Sequence, residues 1–167
     1  TLNDVNGVSR TVTSAATLAR RRSLPLTVLA CESRRPAADL VCENFAPIWE
    51  TPVPRYEELT LRVPPAIEFI EHCERENYGR ILISTPGPVG LAALAAAKLL
   101  GVPTAGIYHT DFPRYVAALG GDGRLEDLAR SYIRWFYRQM DEVLVSSATY
   151  AEELLAMGVE RDRLRDL

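Results

Sequence analysis

Lysine is almost missing from this chain: of its 19 basic residues a single one, Lys98, is a lysine and the others are arginines. Against 22 acidic residues this leaves a formal charge of -3, and no basic block is longer than Arg20-Arg21-Arg22. The electrostatic footprint that a phosphate polymer demands is absent, which excludes nucleic acid as the expected partner. The three cysteines, Cys31, Cys42 and Cys73, are odd in number, far apart and embedded in apolar or helical pattern. That excludes a disulfide framework and predicts reduced thiols in the cytoplasm. No apolar run approaches the roughly 18 residues that span a bilayer, and the N-terminus lacks a signal-peptide core. A chain without a transmembrane segment is expected, with peripheral membrane contact left open. Of the two histidines, His72 sits between Glu71 and Cys73 with no second His at ligand spacing, so no metal site is predicted.

What is present suits one globular α/β domain: 167 residues, 47% hydrophobic and 25% charged, enough to bury a sizeable core. Val8, Val12, Ala15, Ala16 and Ala19 recur at helical spacing and predict a first helix over 8–22, its closing arginines complementing the negative end of the helix dipole. Leu26–Cys31 reads as a buried strand, and Asn44–Trp49 as a weaker one at an edge because Pro47 has no N–H to donate. Pro64 and Pro65 open a helix whose apolar stripe runs to Asn77. Arg80–Ser84 and Thr104–Tyr108 are short strands on either side of an Ala/Leu helix. A long amphipathic helix carries Leu125, Leu128, Tyr132, Trp135, Phe136 and Gln139, and a strand over Glu142–Ser146 precedes a helix closed by Gly158. The aromatic group Tyr132, Trp135, Phe136 and Tyr137 has the spacing of a core face rather than of a sugar-stacking platform.

Strands alternate with helices from end to end, which is the pattern of a Rossmann-like, doubly wound, three-layer α/β fold with a mostly parallel sheet. The chain opens on a loop that feeds directly into the first helix, so the first central strand of such a fold is expected to be missing from this sequence. Residues 1–167 are accordingly expected to be a piece of a longer protein, with the missing strand belonging between Leu26–Cys31 and Arg80–Ser84. In such sheets the loops after the carboxyl ends of the strands form the ligand crevice, so Thr85–Gly90 and His109–Arg114 should open onto one cleft.

Three segments in order, Asp4-Val-Asn-Gly-Val-Ser-Arg-Thr11, Ser84-Thr-Pro-Gly-Pro-Val-Gly-Leu91 and Ile107-Tyr-His-Thr-Asp-Phe-Pro-Arg-Tyr115, resemble the N-terminal, acceptor-side domain of retaining GT-B glycosyltransferases of the group 1, or family 4, type. The resemblance runs over essentially the whole chain, through Trp135-Phe-Tyr137 and Val143-Leu-Val-Ser-Ser147. It implies a two-domain enzyme whose C-terminal, donor-binding domain is absent here, and a chain that is inactive by itself. It implies as substrates a nucleotide sugar and a sugar or lipid-linked acceptor, with no cofactor and no metal. His109 resembles the family histidine that reaches the transferred sugar and is the candidate catalytic residue. Asn6, Gly7 and Val8 resemble the loop that brings backbone N–H groups to donor phosphates or acceptor. Thr85, Gly87, Thr110, Asp111 and Arg114 complete the candidate substrate-binding set. The family's donor-site signature, two Glu separated by seven residues, occurs at Glu50/Glu58, Glu68/Glu76 and Glu152/Glu160, but none stands in the Gly-rich strand-to-helix context it requires.

Each of these residues also has a plain alternative. His109 could cap the following helix, Gly7 could serve helix entry, and Gly87 could be a packing choice in a turn. Two other enzyme classes are disfavoured: no G-x-G-x-x-G follows a strand, as a dinucleotide-dependent oxidoreductase needs, and no G-x-S-x-G elbow exists for a Ser-His-Asp hydrolase. A non-catalytic sugar- or phosphate-binding module remains the competing function.

Overall fold

Each element ends where its sequence stops supporting it. The computed structural model describes residues 7–34, 42–53, 56–108 and 123–167. Helix α1, Gly7–Arg21, buries Ala16 and Ala19 and closes with Arg20 and Arg21 at its negative end. Ser23 takes a left-handed φ of 53°, and the Leu24 N–H donates to the Ala19 carbonyl at 2.9 Å, a capped stop ahead of Pro25. Helix α2, Ala66–Glu76, follows Pro64-Pro65, and the Phe69 N–H donates to the Pro65 carbonyl. It ends at Asn77, whose φ of 50° a short polar side chain tolerates. Helix α3, Pro88–Leu100, has proline at its first position and ends at Gly101, φ 68°, where no β-carbon opposes the left-handed turn.

The described residues fall into two compact units, one of residues up to His72 with Gly87–Ala92, the other of Cys73–Pro86 with Ala93–Leu167. In the first unit, β1, Val28–Cys31, pairs in parallel with β2, Cys42–Phe45, in the register Val28↔Cys42 to Cys31↔Phe45. Next come β3, Trp49–Val53, and β4, Tyr56–Val63, an antiparallel pair with an irregularity between Pro52 and Val53. This corrects the expectation of one strand over Asn44–Trp49. The ladder stops at Phe45, before Pro47, and Trp49 begins a different strand. Phe45 and Phe69 pack with ring centroids 4.8 Å apart, and His72 is buried edge-on to Phe45 at 5.5 Å.

The second unit holds four parallel strands in the order β5-β6-β7-β8: Ile81–Ile83, Thr104–Tyr108, Glu142–Val145 and Leu164–Asp166. The last of these was not anticipated from the sequence. Strand β6 is buried at all five residues, as a central strand of a covered parallel sheet must be. Helix α4, Gly123–Arg138, and helix α5, Ala148–Ala156, carry the remaining chain. Gly106 in β6 is a close-approach glycine, since a β-carbon there would lie 3.1 Å from Met140 Cγ and 3.3 Å from the Tyr137 ring.

Among the described residues β1 pairs with β2 and β5 with β6.

At the start of β6 the Thr104 N–H and hydroxyl both donate to Asp141 Oδ2, at 2.7 and 2.8 Å, and the Asp141 N–H donates back to Thr104 Oγ1 at 3.1 Å. The backbone N–H of Thr104, then its hydroxyl, hold the Asp141 carboxyl below its ordinary value of 3.8. A depressed folded-state pKa contributes stability that is present above the unfolded value and lost as pH falls through the folded one. The stability gap between wild type and Asp141→Asn is therefore expected to narrow below about pH 4. Thr104→Val should cost about 1–2 kcal/mol near neutral pH, because the buried side of this link loses its hydroxyl. Denaturant midpoints at pH 3, 4 and 7 check both; a gap that is constant with pH would refute the Asp141 assignment.

Candidate functional site

In the four-stranded sheet the register aligns the carboxyl ends: Ile83 pairs with Gly106, Tyr108 with Val145, and Val145 with Asp166. The chain leaves β5 into Ser84-Thr85-Pro86 and leaves β6 at Tyr108 from the same edge. Thr85 is half-buried there, and Pro86 is buried. Gly87 precedes the first residue of α3, and its carbonyl accepts the Leu91 N–H at 2.9 Å, the position of an N-cap. Of the N-terminal candidates, Gly7 is the first residue of α1 and Val8 the second. Backbone N–H groups in the first turn of a helix are what the expected phosphate or acceptor contact requires. Asn6, His109, Thr110, Asp111 and Arg114 lie outside the described residues, so their side chains are placed by sequence position alone.

The edge is braced from below by tyrosines. Tyr108, fully buried, donates its hydroxyl to Glu153 Oε2 of α5 at 3.2 Å and lies edge-on to Tyr137 and Tyr150, with centroids 5.1 and 5.2 Å away. Tyr137 donates to the Ile107 carbonyl at 3.0 Å. Burial pushes its phenol well above the usual range, so it stays protonated and keeps the proton it donates. The last two residues before His109 are thus fixed by side chains of α4 and α5. Tyr132 donates to the carbonyl of Pro86, in the loop that follows β5, and burial pushes its pKa up to about 12. Sequence reasoning grouped Tyr132 with the core; in fact it is half-buried and ties the candidate loop to α4.

Removing that tie should loosen the loop with little effect on the core. Tyr132→Phe is expected to cost about 1 kcal/mol of stability, the net worth of one hydrogen bond. Faster amide exchange should be confined to residues 84–87. Exchange that rises equally through β5 and β6 would show that the hydroxyl serves the sheet rather than the loop.

The aromatic group on α4 divides. Phe136 and Tyr137 are buried as expected, whereas Trp135 is 48% exposed and does not belong to the core.

A second polar cluster lies at the carboxyl end of β1. Glu32, the residue after the strand, is 2% exposed, and Arg62 of β4 approaches it with Nη1 to Oε2 at 3.1 Å. Arg62 also donates through Nε to Glu50 Oε2 at 3.3 Å, and the Ser33 hydroxyl donates to the same oxygen. These donors, Ser33 first, hold the Glu50 carboxyl below its ordinary range. Asn44 of β2 closes the cluster, accepting the Glu32 N–H at 3.0 Å and donating to the Glu32 carbonyl at 2.9 Å. Sequence reading missed it. An acid directly after a buried strand is a legible hint, but its cation lies 30 positions away on a hairpin that had no sequence signal. Among the described residues no group of three or more potential metal ligands is present.

Parallel strands covered by helices, with candidate polar residues on the loops after the strand ends, define a Rossmann-like α/β protein. Residues 5–165 match glycosyltransferase family 4, and the chain belongs to that family. It is 28% identical over 168 aligned positions, 96% of this chain and 43% of the relative, to a GDP-mannose-dependent alpha-mannosyltransferase of Mycobacterium tuberculosis (strain CDC 1551 / Oshkosh). It is also 33% identical over 107 residues, 64% of this chain and 21% of the relative, to a sulfoquinovosyl transferase of Arabidopsis thaliana. The chain therefore spans less than half the length of either relative.

Proposed function

We propose that this chain is the acceptor-side half of a glycosyltransferase that moves a sugar from a nucleotide-activated donor to a sugar or lipid-linked acceptor with retention of configuration, and that it is inactive alone. The observation that carries the reading is the shared carboxyl edge of β5 and β6, in a chain that matches family 4 over nearly its full length. A relative named for GDP-mannose favours the nucleotide-sugar class of donor.

In this reading the first turn of α1, with Gly7 allowing close backbone approach, presents N–H groups to phosphate or acceptor oxygens. His109 reaches a hydroxyl of the transferred sugar, with Thr110, Asp111 and Arg114 on the same loop. Thr85 and Gly87 line the neighbouring loop. The chain's part in catalysis is positioning and electrostatic support of the departing phosphate, with the donor-holding groups supplied by the second domain. The test is product analysis with the intact polypeptide and a panel of nucleotide sugars. Release of nucleoside diphosphate and a glycoside of unchanged anomeric configuration is expected, with no release by residues 1–167 alone. An inverted product would overturn retention, and saturable binding without release by the intact protein would favour a non-catalytic sugar-binding module.

A further inference from the structure

Helix α4 carries two opposed faces, and only one of them belongs to the core. Ile133, Phe136, Tyr137 and Met140, just beyond its end, are buried. On the other side Arg124, Asp127, Leu128, Ser131, Arg134, Trp135 and Arg138 are all exposed, and at 3.6 residues per turn they occupy an arc of about 120°. Leu128 is 66% exposed and Trp135 48%, seven residues apart and so in line along the helix. The three arginines lie along one side of that apolar line, with Asp127 the one acid in the arc. Arg130 is turned to the side and paired with Glu126 at 3.0 Å. Arg124, Arg134 and Arg138 have no ion-pair partner among the described residues. Three arginines against one acid thus leave this arc positive, beside an exposed tryptophan and leucine, in a chain of net charge -3.

We propose that this face of α4 is an interfacial surface that lies on an anionic lipid bilayer, with Trp135 and Leu128 at the headgroup boundary and the arginines on lipid phosphates. The chemistry fits at each position. An indole is amphipathic and partitions to the headgroup level, leucine adds apolar area, and arginines bury their stems while keeping guanidinium groups at the phosphates. Each basic residue held near an anionic surface is worth roughly fivefold in partition. A sheet-packed helix presents this arc as a rigid, flat strip and loses little conformational entropy on docking. The surface is independent of the proposed sugar transfer.

The chain has two tryptophans, so Trp49→Phe leaves Trp135 as the single indole reporter. In low salt, vesicles of equal phosphatidylcholine and phosphatidylglycerol should shift Trp135 emission to the blue and carry the protein down on sedimentation, whereas phosphatidylcholine vesicles should do neither. Arg134→Glu with Arg138→Glu should lower partition at least tenfold, and added salt should weaken binding progressively. Arg124→Gln, at the far end of the arc, should give a smaller loss, about fivefold, and supplies a second variant should the double one melt early. Unchanged Trp135 emission with anionic vesicles, equal binding to neutral ones, or partition indifferent to all three arginines would overturn the proposal. So would a blue shift produced by raising protein concentration without lipid, which would make the occupant a second copy of the chain.

Discussion

Arg62→Met is expected to destabilise the protein by about 3–5 kcal/mol, the largest single-residue cost among the described charges. The reason is the position of its partner rather than the strength of the pair. Glu32 is 2% exposed, and Arg62 is a cation that meets it, itself only 15% exposed. Taking away one member leaves a carboxylate that water cannot reach, while the pair as a whole contributes little beyond offsetting its own desolvation. The double variant Arg62→Met, Glu32→Gln should therefore recover most of the loss, because a neutral amide at position 32 no longer needs a cation. Arg62→Lys should recover less than its charge suggests, since one ammonium cannot span Glu32 and Glu50 as the guanidinium does. For a domain of this size the single variant should lower Tm by about 10 °C. Urea melts of the two single variants and the double variant make the check; a cost below about 1 kcal/mol for Arg62→Met would show that solvent hydrates Glu32. Glu50, 47% exposed on the same guanidinium, is the internal control, and Glu50→Gln should melt close to wild type.

His109→Ala in the intact enzyme is expected to lower kcat about 100-fold, the scale at which a misplaced sugar costs rate. Its stability should fall by no more than about 1 kcal/mol. The residue follows Tyr108, which is fully buried and anchored to Glu153, so the strand end that carries it is held without its help. On the proposed reading the substitution removes a contact to the transferred sugar. If His109 is a helix cap instead, the balance reverses: stability drops by about 1 kcal/mol or more and kcat stays near wild type. Parallel measurement of kcat, KM and Tm on the same preparation separates the two. With His109→Ala expected to act on turnover and Arg62→Met on stability, an enzyme sound in one test and damaged in the other assigns each residue to its task.

How far the sequence carried the argument depends on the range of the interactions involved. The helices α1, α2 and α3, strand β6 and the turn at Gly158 were legible because each is set within a few residues: apolar spacing, a proline at the start, a residue able to adopt positive φ at the end. Family membership was legible for a related reason, since the Gly7 loop, the Ser84–Leu91 turn and the segment after β6 keep their order along the chain. The β3–β4 hairpin was not, because Glu50, Pro52, Arg62 and Leu61 show no clean alternation and Pro47 breaks the run before it. Strand β8, Leu-Arg-Asp, has one apolar residue and no apolar run to mark it. The pairing of Glu32 with Arg62, the tie of Tyr132 to the Pro86 carbonyl and the exposure of Trp135 belong wholly to tertiary structure. Local pattern says that a residue is acidic, aromatic or on a helix. Which distant group neutralises it, or whether any neighbour covers it, is decided when segments far apart in the chain compete to bury the same surface.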